Sequence, residues 1–392
     1  MAPKASLPSL EPLEIHSGMI FGPRRGREAF SKEPRVAGIR ETLETLLRPA
    51  LARTPCMVAF SGGQDSSAVL AVATDVARRA GLEDPIPLTF RYPDHPRTWE
   101  TEWQELVVRH LDLKEWKIVE FRAEFDVLGS MARETLRRHG LFWPPNAHTR
   151  IPMLEVARGG ALLSGNGGDE VFSAIVKPKK MTRMQMFRSM SPRRACMTIL
   201  VNSLPMRWKT LVQYKHGLRF PWLRPGPRRE VRRRFVDNAI RLRREEDYLE
   251  TLGHSRYLEL QRAIREALTE DAGVTLIEPF FEPRFLEALS AVTPPSGFLS
   301  RNAAMKHFFG DLVPQKLLER TSKAVFTESF WGADSRGFAE RWDGRGLDTT
   351  LIDPDLLRNH WLRPRPDLRS ATAMQAAWLA SGETQDSNDF HT

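Results

Sequence analysis

Cysteine is nearly absent from this sequence: its 392 residues include only Cys56 and Cys196. With no Cys-x-x-Cys pair, neither a disulfide framework nor a cysteine zinc site is expected. Long apolar runs are missing as well. None approaches the length that spans a bilayer, and the N-terminus lacks the apolar core of a signal peptide, so a cytoplasmic enzyme without a membrane partner is expected. Acids are scarce in one region, where Glu230 is the only one between Lys177 and Arg234. In a chain of net charge +9 and pI near 9.8, that basic segment reads in two ways. It is either a solvated helical face or a surface for an acidic partner, nucleic acid included.

A hydrophobic content of 41% beside 27% charged residues suits a globular protein, and the length allows two domains or one α/β domain with a large addition. The organising stretch is Val58-Ala59-Phe60-Ser61-Gly62-Gly63-Gln64-Asp65-Ser66-Ser67. An apolar strand-like run ends in a serine and two glycines, and an acid with two hydroxyls then opens a helix. Val69, Val72, Ala73 and Val76 follow at helical spacing, with Arg78 and Arg79 in the last turn and Gly81 as a stop. Strand, glycine turn and helix N-terminus together make an anion site, because the glycines admit close approach and the free N–H groups of the helix end point at the charge. No lysine follows the glycines, so this is not a Walker A loop. Ser-Gly-Gly-x-Asp-Ser-Ser instead resembles the pyrophosphate loop of enzymes that split ATP between its α and β phosphates.

Along the chain, residues 1–35 read as a basic, proline-rich arm and 36–382 as the main domain, with a sheet core over 36–172, a helical part over 173–382 and a flexible tail at 383–392. A helix from Val36, carrying Ile39, Leu43, Leu46 and Leu47, should pack beside the first strand. Strands are expected at Ile86–Phe90, Glu115–Phe121 and Gly160–Ser164. Helices are expected at Thr98–His110, at Phe125–His139 and, after a Trp143-Pro144-Pro145 break, near Met153–Ala157. Past Phe172 the strand signals fade. The alternation predicts an α/β fold with a parallel sheet covered on both faces, whose ligands sit beyond the carboxyl ends of the strands.

A second motif repeats the logic of the first. The apolar run at Leu162-Leu163 leads into Ser164-Gly165-Asn166-Gly167-Gly168-Asp169-Glu170. Asp65 and Asp169, delivered from neighbouring strand ends, can share a magnesium ion that also holds phosphate oxygens.

The two motifs in this order resemble the synthetase domain of the asparagine synthetase family, which includes β-lactam synthetases and lasso-peptide macrolactam synthetases. The resemblance runs from about Val36 to Ala380. Glu278-Pro279-Phe280-Phe281-Glu282-Pro283-Arg284-Phe285 is similar to the family's Pro-Phe-Leu-Asp region, with Glu282 where an aspartate is usual. Leu312-Val313-Pro314 and Arg320-Thr321-Ser322-Lys323-Ala324-Val325-Phe326 are similar to its Leu-Pro and Arg-x-x-Lys-x-x-Phe segment. The resemblance implies an adenine-nucleotide α-hydrolase-like fold and an AMP- and pyrophosphate-forming carbon–nitrogen ligase that uses ATP and Mg2+. It implies that Ser61, Gly62, Gly63, Asp65, Ser66, Ser67, Gly165, Gly167 and Gly168 bind the nucleotide. Asp65 and Asp169 would carry the metal, and Lys323, Asp169 and Glu170 would serve the chemistry.

Two departures narrow the product. Position 2 is Ala2, no cysteine precedes Cys56, and too little chain lies ahead of Ser61 for a glutaminase domain. Asn166 replaces the carboxylate that asparagine synthetases commonly carry in the glycine turn, and an amide cannot act as a base. The expected substrates are a small-molecule or peptide carboxylate and an amine donor, as in a natural-product intermediate. Asparagine synthesis from ammonia or from a separate glutaminase chain stays open. A tRNA-modifying pyrophosphate-loop enzyme is the alternative of another class, disfavoured because the second motif and the Lys323 segment are present and a thiolation-type cysteine pair is not.

Overall fold

Five short parallel strands set the frame: β1 (Cys56–Ala59), β2 (Ile86–Arg91), β3 (Lys117–Glu120), β4 (Ala161–Ser164) and β5 (Thr275–Ile277). They pair in the order β3-β2-β1-β4-β5. The computed structural model describes residues 7–23, 38–91, 93, 99–120, 125–176, 200, 203–214, 218–244, 248–320 and 330–382. In the central strand β1, Met57 lies opposite Ile86 of β2 and Leu162 of β4. Successive side chains of a strand point to opposite faces, so β1 serves two cores. Cys56 and Val58 join Leu163 in one cluster, and Met57 joins Leu88 and Leu162 in the other. A parallel sheet covered on both faces reads as continuous apolar runs, as these strands do.

Among the described residues, seven α-helices precede the basic segment: α1 (Pro12–Ser17), α2 (Ile39–Leu51), α3 (Gln64–Arg79), α4 (Thr101–His110), α5 (Ser130–His139), α6 (Ile151–Val156) and α7 (Gly168–Ala174). The first face is covered by Leu43 and Leu47 of α2 and by Val69, Val72 and Val76 of α3. The second is covered by Leu136 of α5, Leu154 of α6, Ile264 and Leu268 of the helix Arg256–Ala272, and Trp378 of the helix Ala371–Ala380. Among the described residues no helix is long and apolar enough to cross a membrane.

Several expected boundaries move. α4 begins at Thr101 rather than Thr98, and β3 spans only Lys117–Glu120. α5 begins at Ser130 because Asp126 holds the preceding turn. Its Oδ1 accepts from Leu128 N, and its Oδ2 accepts from Gly332 N and Ser335 N, each at 3.0 Å. The sheet also does not end at Phe172. β5 joins β4 from the far side of the helical portion, with Thr275 N donating to Gly160 O at 3.1 Å. Three residues are too few to show a strand period in sequence. The helical portion is therefore threaded into the sheet rather than appended to it.

The N-terminal segment is not a free arm over its described part. Glu11 N donates to Glu14 Oε2 at 2.8 Å, capping α1. Glu14 lies buried against Arg256, whose Nε donates to it at 2.7 Å. Trp222 Nε1 donates to His16 O at 2.8 Å. The basic segment is described only in part. There Arg207 pairs with Asp237, Arg233 and Arg234 pair with Glu230, and Arg234 also reaches Glu11. Those two arginines hold the Glu230 carboxyl down at about 2. Lys177 and residues 178–199 lie outside the described residues, as do the tail residues 383–392.

Strand order changes direction between β1 and β4, and in doubly wound sheets the ligand crevice opens there, beyond the carboxyl ends. The parallel sheet flanked by helices is the α/β architecture of adenine-nucleotide α-hydrolase-like domains.

Candidate active site

Both glycine motifs emerge at that switch point. β1 pairing continues one residue past the strand, since Phe60 N donates to Leu88 O and Thr89 Oγ1 donates to Phe60 O, both at 2.8 Å. The chain then turns at Gly62, whose φ of 82° favours glycine. A Cβ there would also sit 2.8 Å from Gln104 Cγ of α4. Gln104 braces the loop by donating from Nε2 to Ser61 O at 3.1 Å. Ser61 and Ser66 share a hydroxyl contact of 3.1 Å, and Gly63 N donates to Ser61 Oγ at 3.3 Å. No side chain caps the start of α3. Its first N–H groups and the two hydroxyls therefore form a cradle whose donor chemistry fits a phosphate or pyrophosphate.

The second loop is clasped onto the first. A Cβ on Gly165 would lie 2.6 Å from the backbone of Asp65 and Ser66, and one on Gly168 would lie 2.3 Å from the Asp65 carboxylate. Glycine at both positions lets Asp169, at the start of α7, come beside Asp65. One guanidinium touches both acids. Arg301, the first residue of the helix Arg301–Phe309, donates from Nη2 to Asp65 Oδ1, and its Nε lies 3.5 Å from Asp169 Oδ1. Two carboxylates converging on one cation fit a Mg2+ ion that completes its shell with phosphate oxygens. No three His, Cys, Asp or Glu side chains among the described residues gather to hold a metal by themselves.

These groups line a cleft of about 770 Å³, inside the range of roughly 300–1,000 Å³ usual for small-molecule sites. Its apolar wall includes Ala59, Phe90, Met153 and Leu276. Its lining includes Arg320, which pairs with Glu100, donates to Gly62 O at 3.4 Å and lies over the Trp103 ring at 4.9 Å. The lining also holds a buried acid, Glu278. Its Oε1 accepts from Asn166 Nδ2 at 3.1 Å and lies 3.0 Å from Arg150 Nη1, while its Oε2 accepts from Arg265 Nη1 at 3.1 Å.

Ser61, Gly63, Asp65, Ser66, Gly165 and Asp169 all reach the cleft. Other expected positions do not line it. Ser67 is wholly buried in α3, Gly62 packs on Gln104, and Gly167 packs on Phe281 at a φ of 93°. Gly168 supports Asp65 from behind. Glu170 turns toward Tyr257, whose hydroxyl lies 3.3 Å from its Oε1. Burial first, and then the Glu170 charge, push that phenol well above the usual tyrosine range, so Tyr257 remains a donor. Glu282 lies at the N-terminal boundary of the helix Pro283–Val292, and Glu278 is the acid that enters the cleft. Lys323 lies outside the described residues. Arg301, Arg150 and Glu100 escaped the sequence reading because each comes from a segment without a motif and meets the loops only through the fold.

Comparison with curated proteins returned no match. Residues 38–382 match the family model described as asparagine synthase, a span that includes both loops and every cleft residue named above. The chain belongs to the asparagine synthase family, a family of ATP-using ligases.

Proposed function

We propose that this protein transfers AMP from ATP to a carboxylate, releases pyrophosphate, and then joins the activated acyl group to an amine. The observation that carries this reading is the clasp of the two strand-end loops. It sets the uncapped start of α3, Ser61 and Ser66 in one cleft with Asp65 and Asp169. A carboxylate is a poor electrophile and gains a leaving group by adenylation. The two hydroxyls and the N–H groups of α3 would take up the charge that grows on the departing pyrophosphate. Asp65 and Asp169 would hold Mg2+, which supplies further neutralisation of the phosphate oxygens when bound. The cleft holds both reacting groups side by side, which lowers the entropic part of the barrier. Lys323 is assigned the cation that meets the charge formed as the amine attacks.

Asn166 bears on the amine. It has no basic atom, and its amide is engaged by Glu278. This favours an amine presented by a peptide or natural-product intermediate over ammonia entering past a carboxylate.

Incubation with ATP and pools of carboxylic acids tests the reaction class. AMP and pyrophosphate should appear in equal amounts, and only when an acid substrate is present. ADP with inorganic phosphate would sink the proposal. Lys323→Ala should slow amide formation at least as much as adenylation.

A further inference from the structure

The variable position of the first loop, Gln64, has a specific use in this chain. Its side chain is buried, and Nε2 lies 3.3 Å from Asn302 Oδ1 and 3.2 Å from Leu317 O. Its Oε1 accepts from Arg301 Nη1. Asn302 Nδ2 in turn lies 3.4 Å from Arg320 O, and Ser300 caps the same helix by accepting from Ala303 N at 3.1 Å. The start of the helix Arg301–Phe309 is thus tied to the first loop through Asn302, and the Arg301 guanidinium reaches both Gln64 and the two acids. A guanidinium is a planar fork whose N–H groups can serve separate acceptors. Here one edge meets Gln64 and Asp65, and Nε faces Asp169.

We infer that Arg301 is the resident counter-ion of the metal site in the nucleotide-free protein and yields Asp65 and Asp169 when a metal–nucleotide complex arrives. This rests on the reading of those two acids as the metal pair. The oxygen that Arg301 occupies, Asp65 Oδ1, is the one packed against Gly168, where a Cβ would lie 2.3 Å away. The carboxylate is packed closely on that side, and a divalent ion that takes Oδ1 must displace the guanidinium from it. Free metal brings only positive charge and gives Arg301 nowhere to go. ATP brings phosphate oxygens, to which a guanidinium binds through paired N–H groups. Metal binding is accordingly weak alone and strong with nucleotide. Arg301 is a positioning residue for the empty site and a phosphate contact in the loaded one.

Manganese binding to nucleotide-free protein, read by loss of the free-ion paramagnetic resonance signal, tests this without turnover. Removing one nearby positive charge should tighten Mn2+ binding by about tenfold or more in Arg301→Gln. Arg301→Lys, whose compact ammonium cannot span both acids, should tighten it by less. Binding of metal-free ATP in the presence of chelator should weaken in Arg301→Gln. A purely structural role would leave Mn2+ affinity unchanged or lower it. Either result in folded Arg301→Gln protein would overturn the inference, and the same result in Arg301→Lys would do so if the glutamine variant fails to fold. Asp65→Ala separates the two readings. Unaltered Mn2+ affinity there would overturn the metal pair and this inference with it. Weakened affinity there, without tightening in the Arg301 variants, would overturn the inference alone.

Discussion

Glu278 gathers two guanidiniums and an amide onto one buried carboxylate. Glu278→Ala would leave Arg150 and Arg265 facing each other with no counter-charge. Breaking a buried ion pair from one side typically costs about 3–5 kcal/mol, and the low end, about 3 kcal/mol, is expected here because Arg150 reaches solvent. The urea midpoint should fall clearly in Glu278→Ala and less in Glu278→Gln, which keeps an acceptor. An unchanged midpoint would show that the cluster does not hold this wall. At the residue scale, the legible positions were those whose local sequence states their task, such as Asp65 in its glycine turn. Glu278 lies four residues from Glu282, the acid that the family pattern singled out. Only the placement of β5 against β4 shows which of the two faces the cleft.

Among the elements, the strand–turn–helix units were readable because their signals are local: an apolar run, a glycine, then a helical period. β5 and α1 were not. The first is three residues long, and the second is a six-residue helix stabilised from outside. Isolated helices of that length do not persist in water, so the docking of α1 rests on tertiary contacts. The Glu14–Arg256 pair is nearly fully buried, and Arg256 Nη2 also donates to Ser9 O at 2.6 Å. Arg256→Ala would leave the buried Glu14 carboxylate without its counter-charge. Limited proteolysis should then cut near residues 9–22 well before global unfolding, while the wild-type segment resists. Equal resistance in both proteins would mean that α1 is held without the pair.

Across the whole molecule, two cores packed on opposite faces of one sheet hold several histidines in their neutral form. Burial is the main cause in each case, and it pushes His148 and His360 down to about 4. His360 Nε2 accepts from Asp367 N at 3.0 Å, a bond available only to an unprotonated nitrogen. His16 is lowered as well, with Nε2 accepting from Asp348 N at 3.0 Å. In the unfolded chain these rings take up protons near pH 6.5, whereas in the folded protein His148 and His360 do so only near pH 4 and His16 below its free value, so acid favours unfolding across that window. The melting temperature should be steady above pH 6.5 and fall as pH drops toward 4. The fall should be shallower in His360→Gln, whose side-chain oxygen can accept the same bond without titrating. A profile flat down to pH 4 would contradict neutral burial of these rings. The most direct measurement of the central claim is ATP–pyrophosphate exchange in wild-type and Asp65→Ala protein, assayed with a carboxylic acid that supports turnover. The predicted result is exchange in the wild type and its loss to background in the variant at an unchanged melting temperature. Robust exchange in Asp65→Ala would contradict the assignment of the clasped loops as the site of AMP transfer.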